Sequence, residues 1–244
     1  MSFSYNRFAA LLDLSLDKIL AQRKHVVTGL VGAAVLVVAG VGFNWYWNGL
    51  QESAQKDFIE MTRYFEAPVI NGVETRTEGE SLQFGSEQEK WAFIAQAYDK
   101  AYSKNKRAGI GPMFKLYQVD ALLQLNKRDE AIEALEGAVK ATGNREVQDF
   151  LKLKLALIKM DSAHQEQQKL GLGALKGIAE DTSSYAHEAA LYYVGYYFFA
   201  KNDTVQAKNY WQQLMVKYGM QDSKQQSPYA ELVRAKLHLI SSDW

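Results

Sequence analysis

Cysteine is absent from this chain of 244 residues. Its absence excludes disulfides, thiolate metal sites, a cysteine nucleophile and a lipoprotein anchor, and it suits an oxidising compartment. Proline is nearly absent. Pro68, Pro112 and Pro228 all fall outside the long periodic segments, as a mostly helical chain requires. Net charge is missing too: 28 Lys and Arg balance 28 Asp and Glu, without the cationic excess that neutralises phosphates, so no nucleic acid partner is expected. The four histidines, His25, His164, His187 and His238, lie far apart and none opens an HExxH pattern. Residues Gly171 to Gly177 superficially resemble a phosphate loop, but no strand precedes them and the Gly-Lys-Ser/Thr ending is missing. Asn202-Asp203-Thr204 has glycosylation spacing and reads better as a turn with a helix cap. No catalytic constellation, metal site or cofactor site emerges, and an enzyme is not expected.

What is present divides the chain in two. Residues Val26 to Gln51 carry no charge, and Val26 to Phe43 are almost wholly Val, Leu, Ala and Gly. A helix from Val26 to Trp47 would reach roughly 33 Å, against a hydrocarbon core of about 30 Å. This predicts a transmembrane helix over 26–48, with lipid as its solvent and Trp45, Tyr46 and Trp47 at the far interface. A cleaved signal peptide would not carry the 25 residues that precede the apolar run, and a buried core helix of this length would show a polar face. Arg7, Lys18, Arg23 and Lys24 precede the span, and Arg23 and Lys24 sit at its near edge. The positive-inside rule then places the segment 1–25 in the cytoplasm and the rest outside. Within it, Phe8, Leu11, Leu12, Ser15 and Ile19 share a helical face, either on the inner leaflet, against a partner, or as a solvated extension.

The stretch 49–85 reads as a connecting helix to about residue 66 and then a long loop. From 86 to 244 the pattern is a domain of helices, with a capping box at Ser86 and Glu89 opening the first. Antiparallel pairs with short turns follow over 112–126, 129–141, 145–161, 165–180, 184–200, 204–218 and 228–241. Two stretches share a register: Val119, Leu122, Ala131, Leu135 and Ala138, and Gly195, Phe198, Ala207, Trp211 and Leu214. Ala131 and Ala207 fall where paired helices cross and larger side chains would force them apart. This spacing is that of the tetratricopeptide repeat. In the middle pair, 145–180, only Ala156 takes a matching place. The helices at 86–104 and 228–241 are expected to cap the two ends. The fold class is all-α: one transmembrane helix followed by a tetratricopeptide-like α-solenoid.

The basic N-terminal segment, the span ending in Gly42-Phe-Asn-Trp-Tyr-Trp-Asn48, the helix from Gln51 to Glu66 and the degenerate repeats together resemble the YfgM-like proteins of bacterial envelopes. The resemblance covers nearly the whole chain in architecture and is specific in sequence near 42–54 and 191–214. It implies an inner-membrane protein with a periplasmic domain. Its implied partners are translocon subunits of the Sec channel, a membrane-bound prolyl-isomerase chaperone, or chains emerging from the channel. A scaffold or tether for cell-envelope or division machinery is the alternative. The register points Tyr192, Tyr196 and Phe199 of the last pair, and Met113, Leu116, Asp120 and Leu123 of the first, toward a concave protein-binding groove. Internal packing of the same aromatic stripe is the competing reading.

Overall fold

The computed structural model describes residues 23–72, 74–76, 82–219 and 227–242, with side chains from Ala39 to Ile240. The chain divides into two units, Met1–Ser53 and Ala54–Trp244. Nine α-helices are formed among the described residues: α1 (Arg23–Glu66), α2 (Glu87–Asn105), α3 (Gly111–Gln124), α4 (Arg128–Ala141), α5 (Arg145–Met160), α6 (Gln165–Glu180), α7 (His187–Ala200), α8 (Thr204–Tyr218) and α9 (Pro228–Ser242). The only β-type pairing among them is two isolated bridges between residues 69 and 84.

In the first unit α1 carries the apolar run. The amphipathic segment 8–20, the flanking Arg7 and Lys18, and the side chains of residues 23–38, Arg23 and Lys24 among them, lie outside the described residues. Among the described residues no helix is long and apolar enough to cross a membrane. The side chains at residues 39–49 all stand exposed, and Phe43 stacks on Trp47 with ring centroids 6.1 Å apart.

The second unit begins where α1 becomes amphipathic. Ala54 and Met61 are buried, and Phe58 and Phe65 place their rings against Tyr98 of α2 and Tyr117 of α3 at 5.1–6.4 Å. The N-terminal end is therefore closed by residues 54–66 together with α2, not by the 86–104 helix alone. Lys90, itself buried, donates from Nζ to the carbonyls of Phe65 and Ala67, both at 2.8 Å. A charged donor thus satisfies carbonyls that the end of α1 leaves without a helical partner. Phe84 is fully buried beside Phe93, and paired backbone bonds join Arg76 to Gln83, so the described parts of the long loop are pinned to the domain. The capping box forms by half. Ser86 Oγ accepts from the Glu89 amide at 3.2 Å, whereas the Glu89 carboxylate accepts from the Thr75 hydroxyl and ties down the loop.

The two repeats adopt the shared register. Val119, Ala131, Leu135 and Ala138 are buried, as are Gly195, Ala207, Trp211 and Leu214. Their turns match as well. Asn126 and Asn202, 76 positions apart, both have positive φ (60° and 59°), a region asparagine tolerates. The next amide bonds back five residues in each case, Lys127 to Leu122 and Asp203 to Phe198, both at 2.9 Å. Asp203 then caps α8 by accepting from the Gln206 amide at 3.0 Å, the role read from the sequence.

The helix expected over 184–200 starts later, at His187. Asp149 of α5 accepts from the Ser184 hydroxyl and the Tyr185 amide, both at 3.0 Å, and Asp181 accepts from the Ser183 amide and hydroxyl. Those bonds hold 181–186 as a turn, since Ser side chains here compete with helical pairing. At the far end Ser227 caps the Ala230 amide, and Ala230 and Val233 of α9 join the buried core of α7 and α8.

Candidate protein-binding groove

The crossing residues decide how the groove is built. In the last pair Gly195 lies under Trp211: a Cβ on Gly195 would fall inside contact distance of the indole Nε1 and Cδ1 and 2.9 Å from Cε2. The indole N–H donates to the Tyr192 carbonyl at 3.1 Å, which holds the ring there. The middle pair makes the same crossing at Gly171. A Cβ on Gly171 would stand 2.6 Å from the Ala156 carbonyl oxygen and 2.6 Å from the Met160 amide nitrogen. Leu175, four residues on, is fully buried, as are Leu135 and Trp211 at the corresponding step. The middle pair thus keeps the register with three extra residues ahead of its crossing residue. The glycine of the apparent phosphate loop is a helix-packing glycine.

With Val119, Ala156 and Gly195 equivalent, the next residue in each first helix is Asp120, Leu157 and Tyr196. Three further on come Leu123, Met160 and Phe199. Of these positions Leu123, Leu157, Met160 and Tyr196 line an open face. Leu123, Leu157 and Ile158 line a cavity of about 390 Å3. Leu157, Met160, Tyr193, Tyr196 and Tyr197 line a second of about 300 Å3. The two share Leu157 and Asp161 and so adjoin. Charged pairs frame the first: Lys154 with Asp120 and Arg128 with Asp161, each at 2.5 Å. A separate cavity of about 520 Å3 between residues 57–64 of α1 and α2 is rimmed by Asp57, Glu60, Lys100 and Lys104. Burial pushes the Asp57 carboxyl up, but hydrogen bonds from Lys104 and Asn105 win and hold it below the usual range.

The expected groove residues divide. Leu123 and Tyr196 line the open face, Tyr196 being 47% exposed, and Asp120 reaches its edge only through the pair with Lys154. Phe199 lies on Trp211 at 5.6 Å. Tyr192 packs against Tyr229 of α9 at 5.2 Å, and burial raises its phenol above the usual range. Both residues serve mainly as packing under the C-terminal helix. Met113 and Leu116 are half-buried and line neither cavity. Leu157, Met160, Tyr193 and Tyr197 were missed by the sequence reading. Carrying the groove positions on from Ala156, by one and four residues, would have found the first two.

Of the expected membrane-interface residues, Trp45, Tyr46 and Trp47 are 79%, 54% and 41% exposed. No group of three or more metal-ligating side chains occurs among the described residues. Buried His187 has a structural partner, its Nδ1 sharing a 2.8 Å hydrogen bond with the Tyr218 hydroxyl, whereas the buried Tyr98 hydroxyl and Glu188 Oε1 have none among the described residues. The second unit is a helical-repeat domain with an apolar, tyrosine-lined face. No protein-family model, curated protein or solved structure matches this chain.

Proposed function

We propose that this chain is a membrane-anchored protein-binding adaptor, held in a bacterial inner membrane by residues 26–48 with its repeat domain in the periplasm. One observation carries the binding half of this reading: three first helices leave Leu123, Leu157, Tyr196 and Tyr197 on a continuous open face. Interface cores are enriched in aromatic residues and Met, which give large contact area at small entropic cost. The anchor rests on the uncharged run from Val26 to Gln51, and the exposed Trp45, Tyr46 and Trp47 suit a membrane interface. By the family resemblance, the partners are translocon subunits, a membrane-bound prolyl-isomerase chaperone, or chains leaving the channel.

The test is site-specific photocrosslinking in native membranes. A crosslinking side chain at Tyr197 should give adducts with translocon subunits or emerging chains. The same group at Val216, 79% exposed on α8 and outside the groove, should give few. Adducts with cell-wall or division machinery at Tyr197 would replace the translocon reading by the scaffold. Equal adduct yields at the two sites would remove the groove from the mechanism.

A further inference from the structure

We infer that two copies of this chain pair through the exposed side of α9, with the two helices antiparallel and Leu232 of each copy seated on Ala235 of the other. The inference concerns the far end of the stack and does not depend on what the groove binds.

α9 occupies the place of the next first helix. It packs on α7 and α8, and it matches α7 forty positions later, with Ala235 in the place of Gly195. Ala190 and Ala230 are both buried. Val233 and Leu237 turn back to the core of α7 and α8, as Tyr193 and Tyr197 turn back toward Leu157 of α5. Three positions of α7 meet helices later in the chain. Tyr192 packs on Tyr229 of α9, Gly195 lies under Trp211 of α8, and Phe199 lies against the same indole. Their equivalents in α9 are Leu232, Ala235 and Leu239. Leu232 and Leu239 are 49% and 60% exposed, and Ala235 between them is exposed as well. α9 thus turns outward the side that, one repeat earlier, carries the continuing stack.

The spacing on that side specifies a helix as its occupant. Pro228, Leu232, Ala235 and Leu239 recur at intervals of four, three and four, the seam of paired helices. A lone exposed leucine needs no explanation, but an apolar row in helical register does. The row complements itself. With two α9 helices antiparallel and Leu232 facing Ala235, the same register brings Leu239 to Pro228, and every position of the row is matched. Large then sits on small, the choice the fold makes inside the last pair, where Trp211 covers Gly195. A parallel pair would face Leu with Leu and Ala with Ala, leaving the alanine layer underfilled. At the edge of the seam the antiparallel register sets Glu231 of one copy beside His238 of the other, twice, and opposes no like charges directly. A contact in which each residue meets a different one and is met by it in return is the two-fold contact of a homodimer. The occupant is therefore a second copy.

The experiment is thiol crosslinking of the full chain in intact cells with a short, membrane-permeable bismaleimide. The chain has no cysteine, so each introduced thiol is unique. In the antiparallel register the two copies of residue 235 lie about 4.5 Å apart along the helix, and the two copies of residue 239 about 16.5 Å apart. Ala235→Cys should therefore give crosslinked dimer, whereas Leu239→Cys should give little. Val216→Cys, exposed on α8 and outside the seam, should also give little. Adding Leu232→Lys to Ala235→Cys should lower the dimer yield about tenfold, since a charge buried in the seam opposes association. Leu232 is half exposed, so this variant should keep the melting temperature of its parent. Equal dimer at 235 and 239 would overturn the antiparallel register in favour of a parallel pair. Equal dimer at Val216, or no effect of Leu232→Lys, would reduce the crosslinks to collision. Adducts of Ala235→Cys with a different protein, identified by mass, would hand the seam to another partner, and no adduct at all would overturn the pairing outright. Each of these results leaves the adaptor reading standing, because that reading is judged at Tyr197.

Discussion

The first and last repeats solve one packing problem with opposite choices of size. At the helix crossing the first pair places Val119 on α3 and Leu135 on α4, while the last places Gly195 on α7 and Trp211 on α8. All four positions are buried. A branched residue facing a medium one and nothing facing an indole are two ways to fill one wedge at interior density. The choice matters for function. The indole displaces outward what lies over it, so Phe199 packs tilted against Trp211 and Lys236 spans the Tyr196, Phe199 and Trp211 rings. The last pair is thereby an aromatic platform, whereas the rings around the first pair, Tyr98, Phe114 and Tyr117, are sealed by Phe58.

The strongest way to break this comparison is Gly195→Val, which imports the first pair's residue without its partner. The branched side chain and the indole cannot share the space, and the cost should be about 3 kcal/mol or more, at the upper end of overpacking. Trp211→Leu alone should cost about 2–4 kcal/mol, through a cavity and the lost bond to the Tyr192 carbonyl. The double variant recreates the first pair's choice and should recover much of the loss. Urea unfolding of the four chains gives the coupling directly. Additive losses would show that the two wedges are not equivalent.

Gly171→Ala carries the comparison to the middle pair. Its Cβ would meet backbone of α5 at 2.6 Å, and backbone yields less readily than a side chain. A loss of about 1–3 kcal/mol is expected in thermal or urea unfolding. The same substitution at Gly173, around which nothing lies within 4 Å, should be neutral or stabilising, because Ala favours helix.

How much could be read from residues alone follows the same line. Helix positions and the outer repeats were legible because apolar spacing and asparagine turns are local signals. The start of α7 was not, since the turn at 181–186 is held by Asp149, more than thirty residues away. The middle repeat was hidden by three extra residues within α6, which a fixed-offset comparison cannot pass. Half the groove went with it: with no second helix matched to Ala156, nothing drew attention to Leu157 and Met160, one and four residues on. The roles of Tyr192 and Phe199 turned on α9, whose docking no periodicity in α7 announces. Lys90 gives no sequence signal at all: its work is to bond carbonyls 23 and 25 residues earlier.

At the first residue of α7 sits His187, buried against Tyr218 at the end of α8. Burial, then Lys217, lowers its imidazole pKa below 6.5, and Asp181 only partly opposes them. The unfolded chain therefore binds this proton more readily than the folded one. Stability should rise with pH through the window just below 6.5 and fall as pH drops through it. His187→Gln should flatten that dependence between pH 7 and 5.5, measured as the difference in urea midpoint between the two chains. An unchanged slope would place the histidine's titration outside the folding equilibrium.

The smallest effect on stability is expected where the effect on binding is largest. Tyr196 is about half exposed and touches Tyr192 and Lys236 without closing the core, so Tyr196→Ala should cost less than about 1 kcal/mol. The equivalent step in the first pair, Asp120→Ala, breaks a surface pair with Lys154 and should cost equally little. The two should part in partner capture. Losing the ring removes contact area from the center of the tyrosine socket, whereas losing Asp120 frees Lys154 and adds positive charge to the groove. Photocrosslinking from Tyr197 should therefore weaken for Tyr196→Ala and persist for Asp120→Ala. A Tyr196→Ala chain that unfolds at much lower urea would mean that the open face is core after all.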